Sequence, residues 1–419
     1  MPKPKHPNTW CVMPFSHINI KQEGKLSACW RFPDRIGDYT TDTLTETWNG
    51  ERMRELRRAL LNGEQHPGCK SCWDLEGAGV KSTRQACIGD YEDTVTYDSA
   101  MASMREDYTV PVENITSIEI RFDNICNLMC RHCSPDYSSK WEAAVKKDSV
   151  LMDQMIDFGT YRKRDYHVNL TDEMIAEIGT YSKHLKQIMI AGGEPLFHDK
   201  HYAFLESLLE GADGIELSYN SNLNTLEYKG KSILDLWKHF KRVSIRVSID
   251  ADPSIYEYVR THANLPKVEN NIRTANAELS NLHLNATCTT SLLNITRITD
   301  IFDYFNSLGA YIHTSLVQYP RALNPRLLPP ELKERVTAQW IDWRDNAEER
   351  IRSTQTSNHV DVKTQIKRAT RFGNSVVDYM NSENWYDDHW HEFKTYIGAL
   401  DRYHGTDVLE WYPEFKPYW

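Results

Sequence analysis

The chain is 419 residues long, the size of two or three ordinary domains, and its 40% hydrophobic and 26% charged residues are those of a globular protein with a real core. A formal charge of -10 sets aside a nucleic-acid backbone as the main partner, because phosphate binding needs a surplus of Lys and Arg. No apolar run approaches the roughly 18 residues that span a bilayer, and the start MPKPKHPNTW lacks the apolar stretch of an export signal, so a cytoplasmic protein with no membrane partner is expected.

Residues 1–112 read as a small cysteine-bearing module. HINIKQEGKLSAC holds two short alternating runs around Glu23 and Gly24, which predicts a hairpin. Met53, Leu56 and Leu60 share a face at helical spacing and predict a helix over 51–62, stopped by Gly63. The acidic, polar stretch 88–112 predicts a linker. From 115 to 320 the rhythm changes to β-rich runs (SIEIRF, KQIMIAG, GIELSYN, RVSIRVSID, HLNATCT and YIHTSLVQ), separated by helix-period segments such as DEMIAEIGTYSK and ITDIFDYFNSLG. Six strands joined by crossovers pair in parallel, since tight hairpins cannot join parallel strands. The expected fold is α/β, a partial (β/α)6 parallel barrel over 113–320 with its chemistry at the C-terminal strand ends. The N-terminal module precedes it, and a helical segment rich in Trp, Tyr and acidic residues follows over 321–419. A polar insert at 148–170 is a candidate lid.

The nine cysteines carry the chemistry, and eight of them precede residue 134. An odd count, no export signal and short spacings argue against a disulfide framework and for metal or cluster ligation in a reducing compartment. The sharpest pattern is Cys126-Asn-Leu-Met-Cys130-Arg-His-Cys133, directly after the first strand of the parallel unit. Three thiolates at this spacing wrap three corners of a cubane and leave its fourth iron without a protein ligand. Structural zinc would want a fourth ligand, and His132 is the only neighbour of that kind. A second set, Cys11, Cys29, Cys69 and Cys72, closes either a tetrahedral zinc site or a fully ligated second cluster, and spacing leaves the two open. Cys288 reads as a small buried filler. Cys87 reads as a spare ligand, a reactive thiol or an ordinary core cysteine.

The CxxxCxxC loop on the first strand of a βα array resembles the radical S-adenosylmethionine (SAM) enzyme superfamily. After the second strand, Ala191-Gly192-Gly193-Glu194-Pro195 is similar to that family's GGEP element, where glycines admit the ligand to the backbone and a carboxylate meets the SAM ammonium. Ser248 and Asp250 at the end of the fourth strand, with Arg260 beyond, resemble its ribose and methionine-carboxylate contacts; a helix-capping Asp is the ordinary alternative for Asp250. Asn222 stands in a similar position after the third strand, although Leu223 replaces the glycine expected there, and His132 takes the place of an aromatic that stacks on adenine. The N-terminal thiols resemble the Twitch and SPASM auxiliary-cluster domains, placed here ahead of the barrel. The resemblance implies a SAM-binding 4Fe–4S cluster, SAM, an auxiliary 4Fe–4S cluster and a flavodoxin- or ferredoxin-type reductant. It further implies hydrogen abstraction by a 5′-deoxyadenosyl radical, with oxidative modification of a peptide or protein as the leading reading. Dehydrogenation or epimerisation of a small sugar or cyclitol, and a zinc-stapled binding protein without catalysis, are the alternatives.

Overall fold

Along RVSIRVS the buried and part-exposed residues alternate, as a strand covered on one face requires. All six strands expected after residue 115 are present in the computed structural model, which describes residues 6–22, 24–77, 81–161, 170–317, 319–355 and 360–419. The strands used below are β1 (His17–Ile20), β2 (Lys25–Ser27), β3 (Gly37–Asp38), β4 (Ser117–Arg121), β5 (Gln187–Ala191), β6 (Glu216–Ser221), β7 (Arg242–Ser248), β8 (Leu282–Thr290) and β9 (Tyr311–Leu316). The helices are α1 (Glu51–Leu61), α2 (Lys70–Gly77), α3 (Thr83–Asp90), α4 (Tyr97–Ser103), α5 (Ser139–Lys147), α6 (Ser149–Asp157), α7 (Asp172–Thr180), α8 (Ile298–Ser307), α9 (Pro330–Asp345), α10 (Val362–Asn381) and α11 (Tyr386–His404). The chain divides into two compact units, Met1–Asp123 with Tyr166–Tyr219 and Gly230–Val243, and Asn124–Asp165 with Asn220–Lys229 and Ser244–Trp419.

In the first unit the strands run in the order β3-β2-β1-β4-β5-β6. β1 and β2 form the expected antiparallel hairpin; Gly24 takes the left-handed turn position at φ 72°, and Glu23 lies outside the described residues. On its other side β1 pairs in parallel with β4, in the register His17↔Ser117 to Ile20↔Ile120. The N-terminal module thus adds a parallel strand to the array formed by β4, β5 and β6. Helix α1 buries Met53, Leu56 and Leu60 as its spacing requires, together with Arg57, whose guanidinium lies 4.4 Å over the Trp48 ring. The stretch 88–112, expected to be a linker, is packed instead. It contains α4, opened by a Thr96–Ser99 capping box, and its Val110 and Tyr108 carbonyls accept hydrogen bonds from Trp48, Asn49 and Arg57. Polar composition misled there because a few scattered apolar side chains, Tyr91, Val95, Ala100 and Val110, are buried and the backbone carbonyls supply the remaining anchors.

In the second unit β8 and β9 run in parallel, Asn285↔Tyr311 to Thr290↔Leu316, with the end of β7 beside β8. β9 is the terminal strand, and α10 occupies its open edge. Ile312 N–H donates to Gln365 Oε1 (3.1 Å), Gln365 Nε2 donates to the Ala310 carbonyl (3.0 Å), and Arg368 Nε donates to the Ile312 carbonyl (3.1 Å). Side chains from a helix here do the work of a further strand and keep the edge from pairing elsewhere. α10 also packs closely on α9, because a Cβ built on Gly373 would fall 2.1 Å from the Trp340 ring. The insert expected as a lid contains α6, and its residues 162–169 lie outside the described residues. Among the described residues no helix is long and apolar enough to cross a membrane.

Candidate active site

The cysteine loop belongs to the second unit, and its backbone is held from both flanks. Ser138 caps α5 through the Trp141 amide (3.3 Å) while donating to the Leu128 carbonyl (2.7 Å). Trp141 Nε1 donates to the Cys130 carbonyl (3.0 Å), and Cys126 N–H donates to Ser139 Oγ (3.2 Å). Met129 and Cys130 pair antiparallel with Thr261 and Arg260, so the last SAM-type contact and the middle cysteine share one ladder. Burial, and after it the neighbouring Cys130 charge, push the Cys133 thiol up to about 12. A thiol so placed loses its proton readily only to a metal that replaces the proton's charge, which is what a three-cysteine cluster site requires.

Beside the loop lies a buried polar knot. Asp250, 1% exposed, sits at the end of β7 in a left-handed conformation, φ 63°. Its carboxylate accepts from Arg260, from His132 Nε2 (3.3 Å) and from the Thr289 amide (2.6 Å). Burial opposes ionisation, but the His132 and Arg260 charges outweigh it and hold the carboxyl well below the usual carboxylate range. Burial likewise works against the Arg260 charge, and Cys130 and Asp250 overcome it. Ser248 stands half-buried two residues earlier on the strand. Asn222 donates to Asn127 Oδ1 inside the cysteine loop (2.8 Å). Leu223 adopts φ 51°, the left-handed region that explains why glycine is the expected residue there.

Gly192, Gly193 and Glu194 belong to the first unit. Gly192 has φ 126°, and a Cβ on it would meet the Asp123 carbonyl at 3.1 Å, so only glycine suits the turn. Gly193 N–H donates to that same carbonyl (3.1 Å), and Glu194, 3% exposed, caps the following turn through the Leu196 amide (3.2 Å). The Asp123 carboxylate in turn bonds His198 Nε2 at 2.6 Å.

The first unit also gathers the N-terminal thiols. Cys11, Cys29, Cys69 and Cys72 line one small pocket with Met13, Phe32 and Arg84. Gly68 lets the Cys69 turn approach, since a Cβ there would stand 2.4 Å from the Phe32 ring. Burial first, then the charges of the other thiols, push Cys69 up to about 12; burial does the same for Cys29, to about 11. Cys87, 3% exposed on α3, is raised to about 12 by burial and then by Cys29, and so stands within electrostatic reach of this group. Among the described residues no three His, Cys, Asp or Glu are arranged to hold a single metal ion. Four thiols around a pocket suit a cluster in which each iron takes one thiolate. All nine cysteines are free of disulfides, and Cys288 is fully buried in β8.

Sequence reasoning missed what braces the loop. Arg131, between Cys130 and His132, is 1% exposed; its guanidinium lies 3.6 Å over the Tyr258 ring and pairs with Asp401 of α11 at 3.0 Å. It also donates to the Tyr258 carbonyl (2.8 Å) and Thr406 Oγ1 (2.6 Å), while Tyr396 Oη donates to the Arg131 carbonyl (3.0 Å). An arginine inside a ligand motif was the one visible hint; no spacing rule links it to a carboxylate so far along the chain.

Residues 120–300 match the radical SAM superfamily, and residues 11–73 match SPASM, an iron–sulfur cluster-binding domain. The chain thus carries a radical SAM domain, with an iron–sulfur cluster-binding domain ahead of it. Those domains make a 4Fe–4S cluster, SAM and auxiliary iron–sulfur the cofactors, so the zinc alternative for the N-terminal thiols gives way. Among solved structures the chain is similar to native anSMEcpe with bound AdoMet, at 15% identity and a TM-score of 0.37, over 56% of this chain and 61% of that one. It is also similar to Streptococcus suis SuiB bound to precursor peptide SuiA, at 12% identity and a TM-score of 0.37, over 78% and 70%. The match thus spans about six tenths of the anSMEcpe chain's length. No curated protein sequence matches the chain.

Proposed function

We propose that this chain cleaves SAM reductively and uses the resulting radical to oxidise a peptide or protein at a side chain or backbone carbon. In this reading the bound cluster and SAM supply one-electron cleavage to methionine and a 5′-deoxyadenosyl radical, and the N-terminal cluster supplies an acceptor for the electron the substrate gives up. Cys126, Cys130 and Cys133 hold three corners of the first cluster, and Cys11, Cys29, Cys69 and Cys72 hold the second. Glu194 takes the SAM ammonium at a turn kept open by Gly192 and Gly193. Ser248 and Asp250 take the ribose, Arg260 the methionine carboxylate, and His132 the adenine face, with Asn222 steadying the cysteine loop. Residues 1–112 form the auxiliary domain, 113–320 the radical SAM domain and 321–419 a helical extension. A flavodoxin- or ferredoxin-type reductant in the cytoplasm completes the scheme.

The observation that carries the reading is the coupling of the three-cysteine loop to the knot of His132, Asp250 and Arg260, through the Cys130–Arg260 pairing and the His132–Asp250 bond. The test supplies reconstituted, reduced enzyme and SAM with deuterated peptides from a protein digest, and separately with deuterated sugars. Deuterium in 5′-deoxyadenosine from the peptides alone is expected. Label from the sugars alone would replace the peptide reading with that of a sugar dehydrogenase or epimerase.

A further inference from the structure

The second unit carries a concentration of positive charge that the cofactor contacts do not use. Side chains alternate along β7, with Val243, Ile245 and Val247 buried on one face and Ser244, Arg246 and Ser248 part-exposed on the other. In β8 and β9 the register partners Thr287 and His313 share a face, as do Asn285 and Tyr311. Helix α10, fixed to the edge of β9 through Gln365, brings Arg368 and Arg371 to this side one turn apart. Arg368 spends its hydrogen bonds on neutral acceptors, the Ile312 carbonyl and Asn285 Oδ1 (2.8 Å), and lies 5.0 Å over the Tyr311 ring. Arg371 is exposed and lies 4.4 Å from the centre of the Phe372 ring, against which His313 packs at 5.1 Å. Burial first, and then the positive charges of Arg246, Arg368 and Arg371, hold the His313 imidazole down to about 4. In the same register row, Thr287 Oγ1 and His313 Nδ1 are buried polar atoms that find no hydrogen-bond partner among the described residues. Two such atoms side by side are free to meet a polar group of a ligand. The protein as a whole is acidic, so a cluster of this sign is a local device and not a consequence of composition.

We propose that Arg246, Arg368 and Arg371, with Thr287 and His313, form a seat for a carboxylate of the peptide substrate. The inference rests on the reading above and adds the substrate's chemistry to it. Arg246 is two residues before Ser248 on the same face of β7, about 6.6 Å along the strand. A carboxylate held here therefore fixes the substrate a short distance from the residue assigned to the SAM ribose. Arginine suits the task because its planar fork matches a carboxylate and stays charged at every working pH.

Fluorescein-labelled, end-capped hexaglutamate and hexaglutamine, titrated by anisotropy against reconstituted enzyme with SAM, test the seat. Hexaglutamate is expected to bind at least tenfold more tightly, roughly the worth of one charge-assisted contact. Arg371→Gln, an exposed position that leaves the fold intact, and Arg246→Gln are each expected to erase several-fold of that preference, and Arg371→Lys to restore part of it. Tight binding of hexaglutamine with a free C-terminal carboxylate, lost in the same variants, would also support the seat and assign it a chain end. Equal affinity for the two capped peptides, or a preference untouched by both Arg→Gln changes, would overturn it. Release of 5′-deoxyadenosine by the unsubstituted enzyme without peptide reports on the radical reading alone, so the two failures are separable.

Discussion

The knot of His132, Asp250 and Arg260 makes two proposed SAM contacts unequal. Glu194 lies in a turn of its own, so Glu194→Ala is expected to weaken SAM binding ten- to a hundredfold, about 1.5–3 kcal/mol, and leave the iron content unchanged. Arg260→Ala is expected to weaken SAM binding similarly and also to destabilise the fold by roughly 3–5 kcal/mol, because Asp250 loses its buried partner. Equilibrium dialysis and urea denaturation separate the two effects. Asp401→Ala, which strands Arg131, is expected to cost a similar roughly 3–5 kcal/mol and to loosen the cysteine loop, read as a changed electron paramagnetic resonance line shape of the reduced cluster. The cysteines and the GGE turn were legible in the sequence because ligand spacing and turn chemistry are local. Arg131 and Asp401 were not, because their pairing is made only by the packing of α11.

At the scale of elements, alternation sufficed to find the six strands after residue 115, and helical spacing sufficed for α1, α7 and α8. What escaped was the pairing of β1 with β4 and the fixing of α10 to the open edge of β9, since neither partner is marked by any periodicity. Gln365 carries the second of these. Gln365→Ala leaves the Ile312 amide and the Ala310 carbonyl without partners at a buried edge and is expected to cost about 1–3 kcal/mol for each group left unsatisfied. Faster hydrogen exchange at Ile312 would locate the loss at the edge. Unchanged exchange there would mean that α10 is held by its apolar face alone.

For the molecule as a whole, buried histidines that resist protonation contribute to the response to acid, and two of them lie in the first unit. Burial holds His17 down to about 3, and burial with the neighbouring His198 charge does the same for His201. The unfolded chain takes these protons below about 6.5 while the folded chain refuses them, so stability is complete above that pH and falls as the pH drops toward 3. Each contributes up to about 1.4 kcal/mol per pH unit in that window. His201→Gln is expected to flatten the fall in urea midpoint below about pH 6.5, and an unchanged slope would mean the side chain is not held neutral. The function proposed above stands on radical cleavage of SAM at Cys126, Cys130 and Cys133 in a chain that holds a second cluster on its N-terminal thiols. Its most direct test reduces anaerobically reconstituted protein with dithionite, adds SAM, and measures iron and 5′-deoxyadenosine together. About eight irons, four per cluster, and steady 5′-deoxyadenosine are expected of the unsubstituted chain. Replacing the three cysteines with Ala is expected to halve the iron and abolish the product. Product formation that survives that replacement, or an iron-loaded chain that never cleaves SAM, would contradict the account.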